Sequence, residues 1–401
     1  MGIEKLIAFH AECPMVKTMG FDPVLEAKRI EKEIISWRRD FHMHPELKYE
    51  EERTSGIVEE HLREWGYRIK RVGTGIIADI GEGEKTIALR ADMDALPVQE
   101  ENDVPYKSRV PGKMHACGHD AHTAMLLGAA KIISEHIDEF NGRVRLIFQP
   151  AEEGGNGAVK MIEGGALEGV DAVFGLHVWH DLPSGIIGIK EGPFMAGAGI
   201  FNARIIGKGG HGASPHQTID PIPIAAEAIL ALQTIASRNI PPIETGVVSV
   251  TAVQAGTAFN VIPEEVEMKG TIRFFKHEIG ELIPRRMREI LEGVTKAHGA
   301  SYELSIEELV PPTVNDRDMV AFARNVAEKY GLRHGDVEPT MGAEDFAFYL
   351  QKAPGAFLTL GIYNEEKGIT YPHHHPRFDV DEEVLHLGTA MEVALAMEFL
   401  R

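Results

Sequence analysis

Residues 119–178 read HDAHTAMLLGAAKIISEHIDEFNGRVRLIFQPAEEGGNGAVKMIEGGALEGVDAVFGLHV. Apolar positions recur at helical spacing over about 119–138, then run unbroken in VRLIF at 144–148. A short helical stretch near 157–166 separates that run from AVFGLHV at 172–178. Strands that are apolar on both faces, with helices between them, predict an α/β domain whose sheet is covered on both sides.

Upstream the same pattern holds. A helix is expected from Asp22-Pro23, an N-cap followed by proline, with Leu25, Ile30, Ile34, Trp37 and Phe41 as its apolar face. A second helix ends at Trp65-Gly66, and strand-like runs follow from Ile76 to Ile80 and from Thr86 to Arg90. From about residue 199 the plan changes to strand (IFNARIIG), helix (219–238), strand (GVVSVTAVQ), strand (EVEMKGTIRFF), helix (277–298), strand (YELSIEEL). This β-α-β-β-α-β order is ferredoxin-like. The expected organisation is a discontinuous α/β domain over 21–195 and 308–401, closing in a helix near 381–400, with an inserted α+β domain over 196–307. Residues 1–20 form an N-terminal extension to which the sequence assigns no role.

The chain has 41 basic and 61 acidic residues among 401, a formal charge of −20. A general binder of nucleic acid or of an anionic membrane needs the opposite sign. No apolar run approaches the roughly 18 residues of a membrane span. The N-terminus does not resemble a signal peptide. Cys13 and Cys117 are the only cysteines and imply no disulfide framework. A cytoplasmic protein is expected.

The densest chemical signal is KMHACGHDAHTAM, which holds His115, Cys117, His119, Asp120 and His122 at a helix start. Thiolate and imidazole two residues apart can face one ion, and both suit zinc. In FQPAEEGGNGA, Glu152 and Glu153 follow a buried strand. Adjacent carboxylates repel unless something neutralises them, and a dication does so. In FGLHVWHD, His177 ends another apolar strand. In YPHHHPRFDVDEE, prolines flank His373, His374 and His375, and the residues alone do not select among the three. In LRADMDALPV, Asp92 and Asp94 either ligate an ion or orient a ligating histidine; the second is preferred. Most of these groups lie at strand ends, where open α/β sheets place their sites. His211 in GKGGHGASPH, Asn260 in AFNVIP and Arg273 in GTIRFF belong to the inserted segment. Taken alone, none of these three marks a site.

Together the motifs resemble the dizinc metallohydrolases that include aminoacylase and glutamate carboxypeptidase. The closer resemblance is to their amidohydrolase branch, with hippurate hydrolases, auxin-conjugate hydrolases and N-acyl-L-amino acid amidohydrolases. WRRDFHMHPEL, LRADMDALPV, HACGHDAH, FQPAEEGGNGA, GLHVW, GKGGHGASPH, MGAEDFAFY and HHHPRFD fit that branch in order, over about residues 35–380. The resemblance implies a zinc-exopeptidase-like catalytic domain, with a mixed sheet covered by helices and an inserted ferredoxin-like lid and dimerisation domain. It implies two zinc ions per subunit, for which cobalt, manganese or nickel can substitute. Cys117 would bridge them, with His119 and His177 on one ion and Glu153 and His374 on the other. Glu152 would be the general base and His211 the donor to the oxyanion. Asn260, Arg273 and Gly342 would contact substrate. In relatives the lid histidine comes from the partner subunit, so a homodimer or a dimer-based tetramer through the inserted domain is implied.

Two dications against the Cys117 thiolate, the Glu153 carboxylate and one hydroxide leave a net local charge near +1. With Arg273 near, such a pocket attracts a small molecule with a free carboxylate, since salt screens distant charge beyond roughly 8–10 Å. The expected reaction is hydrolysis of the amide of N-acyl-L-amino acids. The alternative within the same chemistry is a carboxypeptidase acting on short or N-blocked peptides. A non-catalytic zinc module would lack Glu152 or a ligand, and none is missing.

Overall fold

A computed structural model describes residues 21–401 of the chain. The extension 1–20, and Cys13 with it, lies outside the described residues. The chain forms two compact units. One runs through Gly192 and takes in Val314–Glu338 and Phe348–Arg401; the other comprises Pro193–Thr313 and Pro339–Ala347.

The first unit is built on an eight-stranded mixed sheet. Its spatial order is Arg68–Val72, Gly75–Ile80, Arg143–Gln149, Thr86–Asp92, Ala172–Pro183, Gly355–Tyr363, Ile187–Ile189 and His334–Asp336. The four central strands, from Arg143–Gln149 to Gly355–Tyr363, are mutually parallel. Thr86–Asp92 is buried along its whole length, as unbroken apolar runs require when both sheet faces are covered. The register sets Asp92 beside Gln149 on one side, and His177 beside Thr359 on the next strand pair. Asp92 ends its strand and Glu152–Glu153 follow theirs, whereas His177, expected to end a strand at 178, stands midway along Ala172–Pro183.

The helix His119–Glu135 starts where Gly118 takes φ 93°. A Cβ at Gly118 would come within 2.3 Å of Val178 Cγ2, so glycine serves both the left-handed turn and the close approach. The helix is buried nearly all round and packs against the C-terminal helix Leu385–Phe399.

Two expectations need correction. The first helix is two, Pro23–Arg29 and Glu31–Met43, because the backbone at Ile30 leaves the helical region (φ −101°, ψ 11°). The strand Arg68–Val72 was not foreseen: RIKRV is polar and mostly exposed, and it is held as an edge by antiparallel pairing to Gly75–Ile80.

One buried acid works against stability. Glu392 is 4% exposed on the buried side of the helix Leu385–Phe399, and its Oε2 lacks a hydrogen-bond partner among the described residues. Burial raises its pKa well above the ordinary carboxyl range. A raised acid favours the fold below about pH 4.5 and loses that contribution as pH rises, by about 1.4 kcal/mol per pH unit until its folded pKa is reached. Glu392→Gln is therefore expected to raise Tm at pH 8 by about 2 °C or more, with the gap closing toward pH 5. Thermal unfolding at the two pH values checks this; an equal gap at both would show that Glu392 does not titrate.

The second unit has one four-stranded antiparallel sheet in the order Gly246–Ala255, Glu265–Phe274, Gly197–Ile206, Ser301–Val310. With helices Pro221–Thr234 and His277–Ala297 between strands, this is the ferredoxin-like arrangement. Phe201, Ile205, Leu232, Met268, Ile283 and Leu291 form part of its core. The first of these helices ends earlier than expected, because Ile235–Asn239 winds into a wider π turn.

Candidate metal centre

Cys117 is the residue around which the site is organised. Its Sγ belongs to two donor sets, one with His119 and His177, the other with Glu153 and His374. Within each set the donor atoms lie within 4.8 Å of one another. A third set joins His119, Glu152 and Glu153 at the same spacing, so Glu152 borders both acid and imidazole. These residues come from five sequence regions: the turn before the helix His119–Glu135, that helix's first residue, the loop after Arg143–Gln149, the strand Ala172–Pro183 and the loop after Gly355–Tyr363.

Each donor is pre-oriented. His177 Nδ1 faces its neighbour's carbonyl, Val178 O, at 2.5 Å, which leaves Nε2 directed at Cys117 Sγ, 3.6 Å away. Burial, then the neighbouring His122 and His373, holds the His177 pKa well below the usual imidazole range, so it is a neutral donor. His374 sits at φ 66°, and its N–H donates to Ala116 O at 2.7 Å, docking the triplet loop on the Cys117 turn. The His374 ring nitrogen lies 3.2 Å from Glu153 Oε1. Its hydrogen bonds to Cys117 and Glu153 raise its pKa to about 10. Burial pushes the Cys117 thiol up, and the Glu153 charge adds to that.

The histidine triplet divides by direction. His373 Nε2 accepts from His180 N–H at 3.2 Å, and its ring packs on Phe378 and His177. The His375 ring stacks on Tyr371 with centroids 4.5 Å apart. Only His374 faces Cys117 and Glu153.

The cysteine–histidine motif divides as well. His122 Nδ1 donates to Asp92 Oδ1 at 2.6 Å, and its Nε2 accepts from Val178 N–H at 2.9 Å. Both nitrogens are used, which removes His122 as a ligand although it lies in a donor cluster with Asp92 and His119. Asp120 turns away to Arg38 Nε at 2.8 Å and His42 Nδ1 at 2.7 Å. Arg38 is fully buried, and Asp379 and Glu382 also pair with it. His115 is buried, with its pKa lowered to about 4 mainly by burial.

Asp92 and Asp94 brace the centre from beneath. Asp92 Oδ2 pairs with Arg90 at 2.6 Å, while Oδ1 lies 3.8 Å from His119 Nδ1. Burial alone would raise the Asp92 pKa, but His119, Arg90 and His122 hold it well below the carboxylate range. Asp94 Oδ1 lies 3.4 Å from His119 Nδ1. Its two oxygens also accept the backbone N–H groups of Glu152 and Glu153, each at 3.0 Å. Glu51, which sequence reasoning did not single out, accepts the preceding N–H, that of Ala151, at 2.9 Å.

The residues fit a pair of dications on internal grounds. Both ring nitrogens of His119 and Oε1 of Glu153 are buried and make no well-aligned hydrogen bond among the described residues, although Asp94 and His374 lie within ion-pair distance of them. Buried polar atoms in that condition are uncommon, and a place for a bound ion is one of their ordinary explanations. One thiolate, one carboxylate and three imidazoles form a borderline-soft donor set of the kind zinc takes.

The residues expected to contact substrate lie in the second unit. His211 pairs in register with Val261, and Asn260 O accepts from Gly212 N–H at 2.8 Å, so the structure brings His211 and Asn260 together. Arg273 is elsewhere, near the opposite end of Glu265–Phe274, facing Ala198 and Val247. About 27 Å of strand separates Glu265 from Arg273. Arg273 is partly buried, donates to Ile272 O at 2.9 Å and to Thr271, and has no carboxylate partner among the described residues. Gly342 lies in the Pro339–Ala347 segment, where its carbonyl accepts from Ala196 N–H at 2.9 Å.

Comparison with known proteins gives the chain's relatives. The family model described as peptidase family M20/M25/M40 matches residues 88–398. Thermostable carboxypeptidase 2 of Saccharolobus solfataricus is 44% identical over 93% of this chain and 97% of its own. N-acetylcysteine deacetylase of Bacillus subtilis is 43% identical over 92% of this chain and 97% of its own. Among solved structures, a dinuclear metal binding peptidase of the M20 family from Bacillus subtilis superposes with a TM-score of 0.83. It is 41% identical and covers 93% of this chain and 99% of the other.

Proposed function

This chain belongs to peptidase family M20/M25/M40, and on that premise we propose that it hydrolyses the amide bond of N-acyl-L-amino acids, releasing a carboxylic acid and a free amino acid. The observation that carries the reading is the sharing of Cys117 between two donor pairs, with Glu152 beside them. Cys117, His119 and His177 would hold one dication, and Cys117, Glu153 and His374 the other, zinc being the ion their chemistry favours. When bound, such a pair supplies Lewis acidity toward a carbonyl and lowers the pKa of water.

The chain's own residues do the rest. Glu152 takes the proton of the attacking water and returns it to the leaving amine. Asp94 holds the backbone from which Glu152 and Glu153 project. Asp92, kept ionised by Arg90, His119 and His122, steadies the imidazole side of the centre. Arg273, a cation without an anionic partner among the described residues, is suited to a substrate's free carboxylate, with Asn260 and Gly342 as further contacts. His211 would donate to the oxyanion.

His211 lies in a separate two-stranded pairing with Val261, ahead of Glu265, while Arg273 stands near the far end of Glu265–Phe274, and this separation within one chain supports drawing His211 from a second copy. The second unit is suited to such self-association: the helix Pro221–Thr234 exposes Leu230 (73%) and Ile222 (46%), and Gly246–Ala255 is an unpaired sheet edge carrying exposed Val253. A homodimer, or a dimer-based tetramer, is the assembly proposed on these grounds. No helix among the described residues is long and apolar enough to cross a membrane.

Losing one oxyanion donor costs about 10²–10³ in kcat. His211→Ala is therefore expected to keep its metal while turning over on the order of hundreds of times more slowly. Unchanged turnover would remove His211 from the mechanism. A hydrolysis panel with added zinc, cobalt, manganese or nickel tests the function itself. It should contain N-acetyl and N-benzoyl amino acids, their C-terminal amides, and N-blocked dipeptides. Cleavage of free acids and not of their amides supports the reading, and no cleavage by metal-loaded protein contradicts it. Identity to a carboxypeptidase favours the second reading, removal of C-terminal residues from short or N-blocked peptides, which faster dipeptide cleavage would establish.

A further inference from the structure

Among the described residues, four other than glycine hold a positive φ: Tyr49 (63°), Ala151 (54°), Asn156 (53°) and His374 (66°). Such backbone is disfavoured for side chains with a Cβ and persists only where the surroundings hold it. All four belong to the metal-centre region: His374 is a donor, Ala151 and Asn156 flank Glu152 and Glu153, and Tyr49 lies in a segment clamped onto that same loop.

The clamp is the stretch Glu46–Glu51. Leu47 bridges to Ala95, whose N–H donates to Glu46 O at 2.8 Å, so the segment is registered next to Asp94. From there Lys48 Nζ donates to Glu153 O at 3.2 Å and the Tyr49 hydroxyl donates to Gly155 O. Glu51 Oε1 accepts from Ala151 N–H, and its Oε2 accepts from the Thr74 hydroxyl at 2.7 Å. With Asp94 on the next two, three successive backbone N–H groups, 151 to 153, end on buried carboxylates. Glu51 is 0% exposed, and no cation pairs with it among the described residues. A buried acid without a counter-ion is a costly way to fill space, and an apolar side chain would serve packing better. What an apolar side chain cannot do is accept the Ala151 N–H.

We propose that Glu51 is a positioning residue for Glu152, with Lys48 and Tyr49 as its outer partners. By holding the Ala151 N–H it fixes the left-handed turn, and the turn sets the direction in which Glu152 leaves the loop. Relaxation of Ala151 to an ordinary negative φ would swing the following residues away from His119 and Cys117. The inference rests on the reading of Glu152 as the base.

The test compares Glu51→Leu, Glu51→Gln and Tyr49→Phe in the full-length, zinc-loaded protein, with kcat, KM, metal content and thermal unfolding measured on each. Glu51→Leu is expected to lose about 10–100-fold in kcat, as for other residues that support a metal site from behind. Its KM should stay within about threefold and its metal content unchanged. Glu51→Gln keeps a carbonyl oxygen for the Ala151 N–H and an amide for Thr74 Oγ1, and should recover most of that loss. A purely structural role would lower Tm and the folded fraction, not the kcat of each folded, loaded molecule. Wild-type kcat in Glu51→Leu, or equal impairment in the Gln and Leu variants, overturns the proposal. Should Glu51→Leu not fold, the exposed change Tyr49→Phe decides: kcat is expected to fall several-fold at constant KM, and an unchanged kcat rejects the clamp. If instead Glu152→Gln is fully active, the reading of the base fails first, whatever Glu51 does.

Discussion

Cys117→Ala is expected to lose both ions and hydrolysis in one step. The reason is that one sulfur atom lies in both donor sets, whereas every other proposed ligand serves one. Removing it leaves two donors at each position, and the charge that separates the ions is gone. Residues that merely support a ligand cost 10–100-fold in affinity or activity when changed, so the shared ligand should cost about 10³-fold or more. The protonation pattern points the same way. Burial raises the Cys117 thiol, and hydrogen bonds to Cys117 and Glu153 raise His374 to about 10, so protons would compete with ions for these atoms. Ions displace those protons because thiolate and neutral imidazole are the binding forms. Metal content by mass spectrometry and kcat/KM on the same sample check the result. A Cys117→Ala protein with two ions per chain would rule out the bridge.

The second large effect belongs to Glu152→Gln. This change keeps size and hydrogen-bonding capacity, and it leaves the backbone N–H that Asp94 holds untouched. It removes only the ability to take a proton. General acid–base catalysis is worth about 10²–10⁴-fold, and here one group serves both directions, so kcat should fall toward the upper end of that range with KM and metal content preserved. Loss of metal in Glu152→Gln would instead make Glu152 a ligand, exchanging its role with that of Glu153.

The proposed donors stood out in the sequence for different reasons. Cys117 and His119 announce themselves by local spacing. Glu152 and Glu153 gain weight from following a buried strand; His177 was read as a strand end, whereas only the apolar, buried part of its strand ends near it and the strand itself runs on to Pro183. His374 could not be separated from His373 and His375 by its residues, and only the resemblance picked it out. The structure separates them through a backbone turn at positive φ, which a run of three identical residues does not reveal. His122 looked like a donor because composition cannot show that Asp92 and Val178 occupy both of its nitrogens. Glu51 was invisible because its partner is Ala151, a hundred residues away and reached through the backbone. Likewise Arg38 and His42 support Asp120 across about eighty positions of sequence. The start of the ferredoxin-like segment could be read from a change in hydrophobic periodicity, whereas Pro339–Ala347, expected within the α/β domain, falls in the second unit. The polar edge strand Arg68–Val72 was not, since pairing rather than burial makes it a strand.

Anomalous diffraction at the zinc edge, from crystals of fully active, zinc-loaded protein, interrogates the shared sulfur directly. Two peaks are expected about 3.5–4 Å apart, the usual spacing of a two-metal site, both bonded to Cys117 Sγ. One should also bind His119 and His177, the other Glu153 and His374. A single peak, or two peaks of which only one touches Cys117, in protein that still hydrolyses its substrate, would contradict it.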